Sequence, residues 1–283
     1  MEPISQVVLR NRNRWGDGPV LLVDMPADGL ESALREAGLA LRASNQEFGT
    51  YKALSARGTA AEFAPAPRAE RGEALIVLRL PREKERFAMV LHALAASMDS
   101  DARLWVVGEK RAGIKSAGRL LEQRFALVDR LDNARHCSLL EARAPRACPP
   151  FRLDDLGATL SVDAGASRLR LCSLPGVFAH RRVDGGTALL LDALEDCAVH
   201  GRVLDFACGN GIVGIGLLKR RAAAWRSTTA RRACSPPTGW ATSTAVSTGS
   251  SPTRHSIAAS TTISTSRPIF FAARELFSKR TVE

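Results

Sequence analysis

CxxC pairs are absent: Cys137, Cys148, Cys172, Cys197, Cys208 and Cys234 are widely spaced. That spacing excludes a zinc ribbon and the framework of a small disulfide-rich secreted domain. No apolar run approaches the roughly 18 residues a membrane span needs, and the opening MEPISQVVLRNRNRW lacks the apolar core of a secretory leader. We therefore expect a soluble, cytoplasmic protein with no membrane partner and with buried or free reduced thiols. Acidic residues are missing from one long stretch, since none lies between Asp205 and Glu275, where Lys219 and eight arginines stand. That stretch supplies nine of the eleven net positive charges and leaves two for the remainder. Clustered basic side chains ordinarily point to nucleic acid because they neutralise phosphates. Confined to one interval of unusual composition, the charge by itself assigns no partner.

What is present is enough chain for two domains, 283 residues. The first half alternates compact apolar runs with helically spaced ones. PVLLVDMP (19–26), EALIVLRLP (73–81), ARLWVVGE (102–109) and HCSLLEAR (136–143) read as strands. DGLESALREAGLALRAS, REKERFAMVLHALAASM and KRAGIKSAGRLLEQRF read as the helices between them. This order predicts an α/β fold with a parallel sheet covered by helices. In LWVVGEKRAGIKSAG the glycine pair stands too far apart for a nucleotide turn and no acid equivalent to Asp205 precedes it. Residues 1 to about 145 are therefore expected to bind no cofactor, with Gly108 in a turn at the strand end. The proline-rich APRACPPFRLDD places a boundary near 145–152, giving domains over 1–147 and 152–283.

The stretch with most chemical content is RVLDFACGNGIVGIGLL, residues 202–218. Val203 and Leu204 suit a buried strand, Asp205 stands near its carboxy end, Gly209 and Gly211 form a tight turn, and Ile212 opens a helix. In doubly wound sheets ligands sit at such strand ends, where glycine lets the backbone approach closely. The acid precedes the glycines and GxGxxG is absent, so S-adenosyl-L-methionine fits better than a dinucleotide pyrophosphate. The competing reading is a glycine turn without a ligand. Cys208 has no His or Asp partner in a matching motif and reads as a small turn residue rather than a nucleophile. Asp184, with Gly185 and Gly186, either caps the helix TALLLDALEDC or touches the cofactor, and the cap is favoured.

SLPGVFAHRRVDGGTALLLDAL followed by VLDFACGNGIVGIGLL resembles the catalytic-domain entry of the bacterial 16S ribosomal RNA guanine-N2 methyltransferases of the RsmC type. LWVVGEKRAGIKSAGRLL and LDNARHCSLLEAR resemble segments of that family's amino-terminal domain, in the right order. The resemblance implies two tandem Rossmann-like methyltransferase domains, the first degenerate and without cofactor, the second incomplete here. It implies S-adenosyl-L-methionine held by Asp205, Cys208, Gly209, Asn210 and Gly211. It also implies methyl transfer to the exocyclic N2 amine of guanine, with small-subunit ribosomal RNA or the 30S subunit as partner and a monomeric protein. Such an amine, held in line with an activated methyl, reacts largely through positioning. Two expected parts are missing: an acid at the next strand end for the ribose hydroxyls, and an Asn-Pro-Pro-Phe loop for the guanine amine. No Asn occurs after Asn210, so no catalytic residue can be named.

From Ser227 to Ser266 half of the residues are Ser or Thr, with little apolar order. A linker, a stalk or a basic RNA-binding arm fits poorly inside an unfinished domain. The genetic code offers another explanation. When AVSTGSSPTRHSIAASTTIST (245–265) is read in codons built from each third base and the next two, suitable synonymous codons give RFDWIVTNPPFHRGIDNDLDI. The third bases are largely free, but every second base is fixed apart from a two-way choice at serines and at Arg254, and it agrees throughout. We expect residues 222–267 to be out of frame, with the first shift between about 221 and 231 and a return near 267–270, before FFAARELF. Coincidence is the competing explanation. The alternative function is a non-catalytic RNA-binding or ribosome-assembly protein.

Overall fold

The computed structural model describes residues 1–219 apart from 165, 166, 196, 198 and 200–202. The expectations for Cys234, for 222–267 and for the helix at FFAARELF lie outside the described residues. The chain divides into two compact units, residues 1–156 and 157–283.

The first unit is a seven-stranded sheet built from β1 (Val20–Val23), β2 (Leu41–Asn45), β3 (Ala60–Phe63), β4 (Leu75–Arg79), β5 (Arg103–Glu109), β6 (Phe125–Ala134) and β7 (Cys137–Pro145). Its order is β3-β2-β1-β4-β5-β7-β6. The first five strands are parallel, and β7 runs antiparallel to both β5 and β6. Helices α1 (Pro3–Arg10), α2 (Leu30–Glu36), α3 (Phe48–Ala56), α4 (Lys84–Ala95) and α5 (Ile114–Arg124) accompany the sheet. Leu21, Ile76, Leu78, Leu104 and Val106 pack on one side with Phe87, Leu91 and Leu121. Val20, Leu22, Leu75, Val77 and Trp105 pack on the other with Val7, Leu30 and Leu34. Strands covered on both faces lose the polar alternation of an exposed sheet, which is why VLLV and LIVLR are continuously apolar.

Sequence expectations and structure differ at several places in this unit. Helix α1 and strand β6 are not anticipated, and the strand at 136–143, expected in a parallel sheet, is the antiparallel β7. The predicted helix from Asp28 to Ser44 ends at Glu36, and its tail LRASN is β2. Gly38, at φ +81°, lies between them in a backbone conformation suited to glycine. Residues 48–63 supply α3 and β3, which have weaker apolar periodicity. Gly108 lies inside β5 rather than in a turn, and a Cβ there would come within 2.8 Å of Leu80 Cβ. The glycine thus serves close packing. Buried Glu31 meets Arg57 at 2.7 Å. Burial alone would raise its carboxyl pKa, but the Arg57 hydrogen bond and charge, with the backbone N–H groups of Glu31 and Gly29, hold it below the ordinary value.

In the second unit β8 (Ala158–Ala164) and β9 (Ser167–Ser173) form an antiparallel pair. Along β9, Leu169 and Leu171 are buried while Arg168 and Arg170 are exposed, the alternation of a sheet with one wet face. Helix α6 spans Gly185–Ala193, and residues 212–219 are helical. Leu169, Leu171, Leu191 and Ile212 form the small core, flanked by Leu160, Val162, Val183, Val213 and Ile215. The expected strand at RVLDFA is not formed over its described residues 203–205. An isolated segment gains no ladder hydrogen bonds, and Leu204 and Phe206 stand 54% and 86% exposed.

Candidate cofactor site

The site grows from the turn between residues 203–205 and the helix at 212–219. Ala207, Gly209 and Gly211 take φ of +56°, +57° and +76°. These left-handed steps fold 206–211 into a compact loop, closed by the Gly211 N–H donating to the Cys208 carbonyl at 2.8 Å. Glycine adopts such angles freely, whereas Ala207 is strained there. The opening N–H groups of a helix lack internal acceptors. Asn210 Oδ1 accepts from Ile212 N at 3.2 Å, and Asp205 Oδ2 accepts from Gly214 N at 2.9 Å. Asp205 therefore ties the segment before the loop to the helix after it.

Burial pushes the Asp205 carboxyl pKa up, partly offset by the Gly214 N–H. Gly214 is itself matched to that carboxylate, since a Cβ there would lie 3.1 Å from Asp205 Oδ2. The loop Leu174–Arg182 supplies a neighbouring wall: a Cβ on Gly209 would sit 3.7 Å from Phe178 Cβ, and the Phe178 side chain is largely exposed. His180 Nδ1 lies 2.8 Å from Ser173 Oγ, which anchors this loop to β9. Asp184 caps α6, accepting from Gly186 N at 3.0 Å and Thr187 N at 3.3 Å. This is the cap expected from the sequence.

Asp205, Cys208, Gly209, Asn210 and Gly211 thus share one loop. Cys208 Sγ meets the Gly209 carbonyl at 4.0 Å, which provides no base to activate it. The expected Asn-Pro-Pro-Phe loop and the acid for a ribose have no counterpart among the described residues. Gly214 and Phe178 were missed from sequence: Gly214 lies in a helix, and Phe178 is brought to the loop by tertiary structure. Ala207 was likewise not singled out from the sequence, and its left-handed φ emerges only in the structure. Among the described residues no cluster of three potential metal ligands occurs and no helix could cross a membrane. The five described cysteines are free thiols.

A mixed, mostly parallel sheet flanked by helices, followed by a glycine loop opening a helix, defines a Rossmann-like methyltransferase fold. Residues 5–159 match the family model described as methyltransferase small domain N-terminal, and 168–231 match methyltransferase small domain. The chain belongs to the family of the first, which spans more than half of it. Ribosomal RNA small subunit methyltransferase C of Pseudomonas entomophila strain L48 is 38% identical over 229 residues, 78% of this chain and 64% of the relative. The protein of the same name from Acinetobacter baumannii strain AYE is 34% identical over 221 residues, again 64% of its length. The chain thus spans less than two thirds of the curated relatives it matches. A solved structure of T. thermophilus 16S rRNA methyltransferase RsmC, in complex with AdoMet and guanosine, aligns with a TM-score of 0.59 at 22% identity. The alignment covers 69% of this chain and 52% of that one, and the likeness is one of fold.

Proposed function

We propose that this chain derives from a cytoplasmic S-adenosyl-L-methionine-dependent methyltransferase acting on the exocyclic N2 amine of guanine in small-subunit ribosomal RNA, free or in the 30S subunit. We further propose that it works as a monomer and that the chain as written is impaired. The observation that carries the reading is the loop at 205–211, with Asp205 before two left-handed glycines at a helix entry. The names of the curated relatives and the AdoMet and guanosine in the T. thermophilus structure support the choice of cofactor and substrate.

The residues present fit one part of the cofactor. Gly209 and Gly211 let backbone approach the methionine end, and Asp205 keeps the loop closed on the helix. The ribose end lacks its expected acid, because the sequence has none from 206 to 274. When bound, the cofactor supplies a methyl activated by a sulfonium. The protein's part is to orient the amine, and the loop expected to do so is lost in the segment we place out of frame, 222–267. The family match in the second unit reaches residue 231, beside the interval assigned to the first shift. Two tandem domains of one ancestry, over 1–147 and 152–283, complete the proposal.

Equilibrium dialysis of the full chain against radiolabelled S-adenosylmethionine tests the site. Weak binding that Gly211→Val reduces at least 10-fold is expected. Binding unaffected by that change in a protein with unaltered circular dichroism would remove the assignment.

A further inference from the structure

A cleft of about 310 Å³ opens in the amino-terminal unit, at the low end of the roughly 300–1,000 Å³ that small-molecule sites span. Asp24 follows β1, Asn45 ends β2 and Arg79 ends β4, so the cleft lies beyond the carboxy ends of neighbouring parallel strands. The strand order turns between β1 and β4, and doubly wound sheets bind ligands at such a switch point. Leu80 and Pro81 give the lining a short apolar stretch.

The charges on the lining balance, with Arg79, Arg82 and Arg86 set against Asp24, Glu47 and Glu83. A surface that gathers polyanions shows an excess of positive charge. This cleft has none, so its occupant carries both signs or neither. Most of the lining charges are already committed. Asp24 Oδ1 accepts from Gln46 N at 2.9 Å and its Oδ2 from Arg86 Nη2 at 2.5 Å. Glu47 caps α3 through the N–H groups of Gly49 and Thr50, and Arg79 meets Glu2 at 3.3 Å. Arg82 and Glu83 remain: both are exposed and neither enters an ion pair among the described residues. Arg82 lends Glu109 only a longer-range charge, and Glu83 makes no side-chain bond at the start of α4. One uncommitted cation and one uncommitted anion thus line the same small cleft.

The buried atoms repeat that pairing of functions. Asn45 is 2% exposed, its Nδ2 donates to the Met25 carbonyl at 3.3 Å, and its Oδ1 accepts no hydrogen bond. The buried Nε of Arg86 has no acceptor. The Asp24 carboxylate connects the two, since it is held by Arg86 and by the N–H of Gln46, the neighbour of Asn45. Buried polar atoms are normally paired, so an orphan acceptor and an orphan donor lining one cleft point to an occupant that supplies both a donor and an acceptor.

We propose that this cleft binds a free α-amino acid as its zwitterion. The ammonium group donates to Asn45 Oδ1 and faces Glu83. The carboxylate accepts from Arg86 Nε and faces Arg82, and the side chain rests on Leu80 and Pro81. The assignment concerns the other unit from the glycine loop and does not depend on the methyl-transfer reading.

Equilibrium dialysis of the full chain against a mixture of the radiolabelled standard amino acids tests it, each retained compound then being dialysed alone. At least one amino acid should be retained at one equivalent per chain. Its methyl ester and its N-acetyl derivative each lose one of the two charges and should bind about 10-fold or more weakly. Asn45→Leu should weaken binding by a similar factor, about 10-fold. The double variant Arg82→Gln with Glu83→Gln, at exposed positions whose change leaves the core intact, should weaken it by about 5-fold. Circular dichroism establishes that each variant is folded, and the double variant decides the matter if Asn45→Leu is not. Retention of no amino acid overturns the proposal, as does binding of the ester and N-acetyl forms equal to that of the parent compound. Binding undiminished in the folded variants places the amino acid elsewhere, such as the loop of the second unit, and overturns it too.

Discussion

At the scale of single residues, the loop contains side chains that do not favour its own stability. Asp205 has its carboxyl pKa raised above 3.8 by burial. A group with a higher pKa in the folded state contributes fully below its unfolded pKa and loses that contribution as pH rises through the folded value. Asp205→Asn keeps an oxygen for the Gly214 N–H, so urea unfolding at pH 7 should show the variant at least as stable as the parent, the difference vanishing below about pH 3.8. Cofactor binding should fall in the same variant. A clear loss of stability at pH 7 would make Asp205 a purely structural residue. Ala207→Gly relieves a left-handed φ of +56° and should raise the unfolding free energy by about 1 kcal/mol. Gly211→Val places a β-branched residue at φ +76° and should lower it by about 2 kcal/mol. Equal midpoints for these two variants would contradict the loop geometry. Glu31 behaves in the opposite sense to Asp205: its depressed pKa makes its contribution present above the ordinary carboxyl value and lost as pH falls through the folded one.

At the scale of elements, legibility followed burial. VLLV, LIVLR and RLWVVGE are covered on both faces, and their unbroken apolar runs marked them as strands. AAEF in β3 has no buried residue and RLRLC in β9 alternates, so both passed unnoticed beside stronger signals. VLDF was legible as a strand and is not one, because a parallel strand exists only with its neighbours and none is described beside it. The glycine spacing announced the turn, while the contact of Gly214 with Asp205 required a helix to bring positions nine apart together. Residues 203–206 should exchange their amide hydrogens rapidly, while β1 is protected to the limit set by global unfolding of its unit. Phe206→Ser, at a position 86% exposed, should leave the unfolding free energy within about 0.5 kcal/mol and reduce aggregation. Slow exchange over 203–206 would show that the segment finds a strand partner.

At the scale of the whole molecule, the two units differ in how much core they possess. The amino-terminal unit covers both faces of a seven-stranded sheet. The described part of the carboxy-terminal unit buries four apolar side chains and leaves Phe178, Leu189, Leu190, Leu204 and Phe206 exposed. Heating should therefore give two transitions, with the amino-terminal unit melting last, and a single transition would contradict that order. The same contrast separates a retained cofactor loop from lost substrate-orienting parts, the central claim of this account. Transfer of radiolabelled methyl from S-adenosylmethionine to 30S subunits tests it most directly, comparing the chain as written with one in which 245–265 is read as RFDWIVTNPPFHRGIDNDLDI and the flanking frame is restored. The account predicts label in guanine N2 with the restored protein and none with the chain as written; robust transfer by the unrestored chain would contradict it.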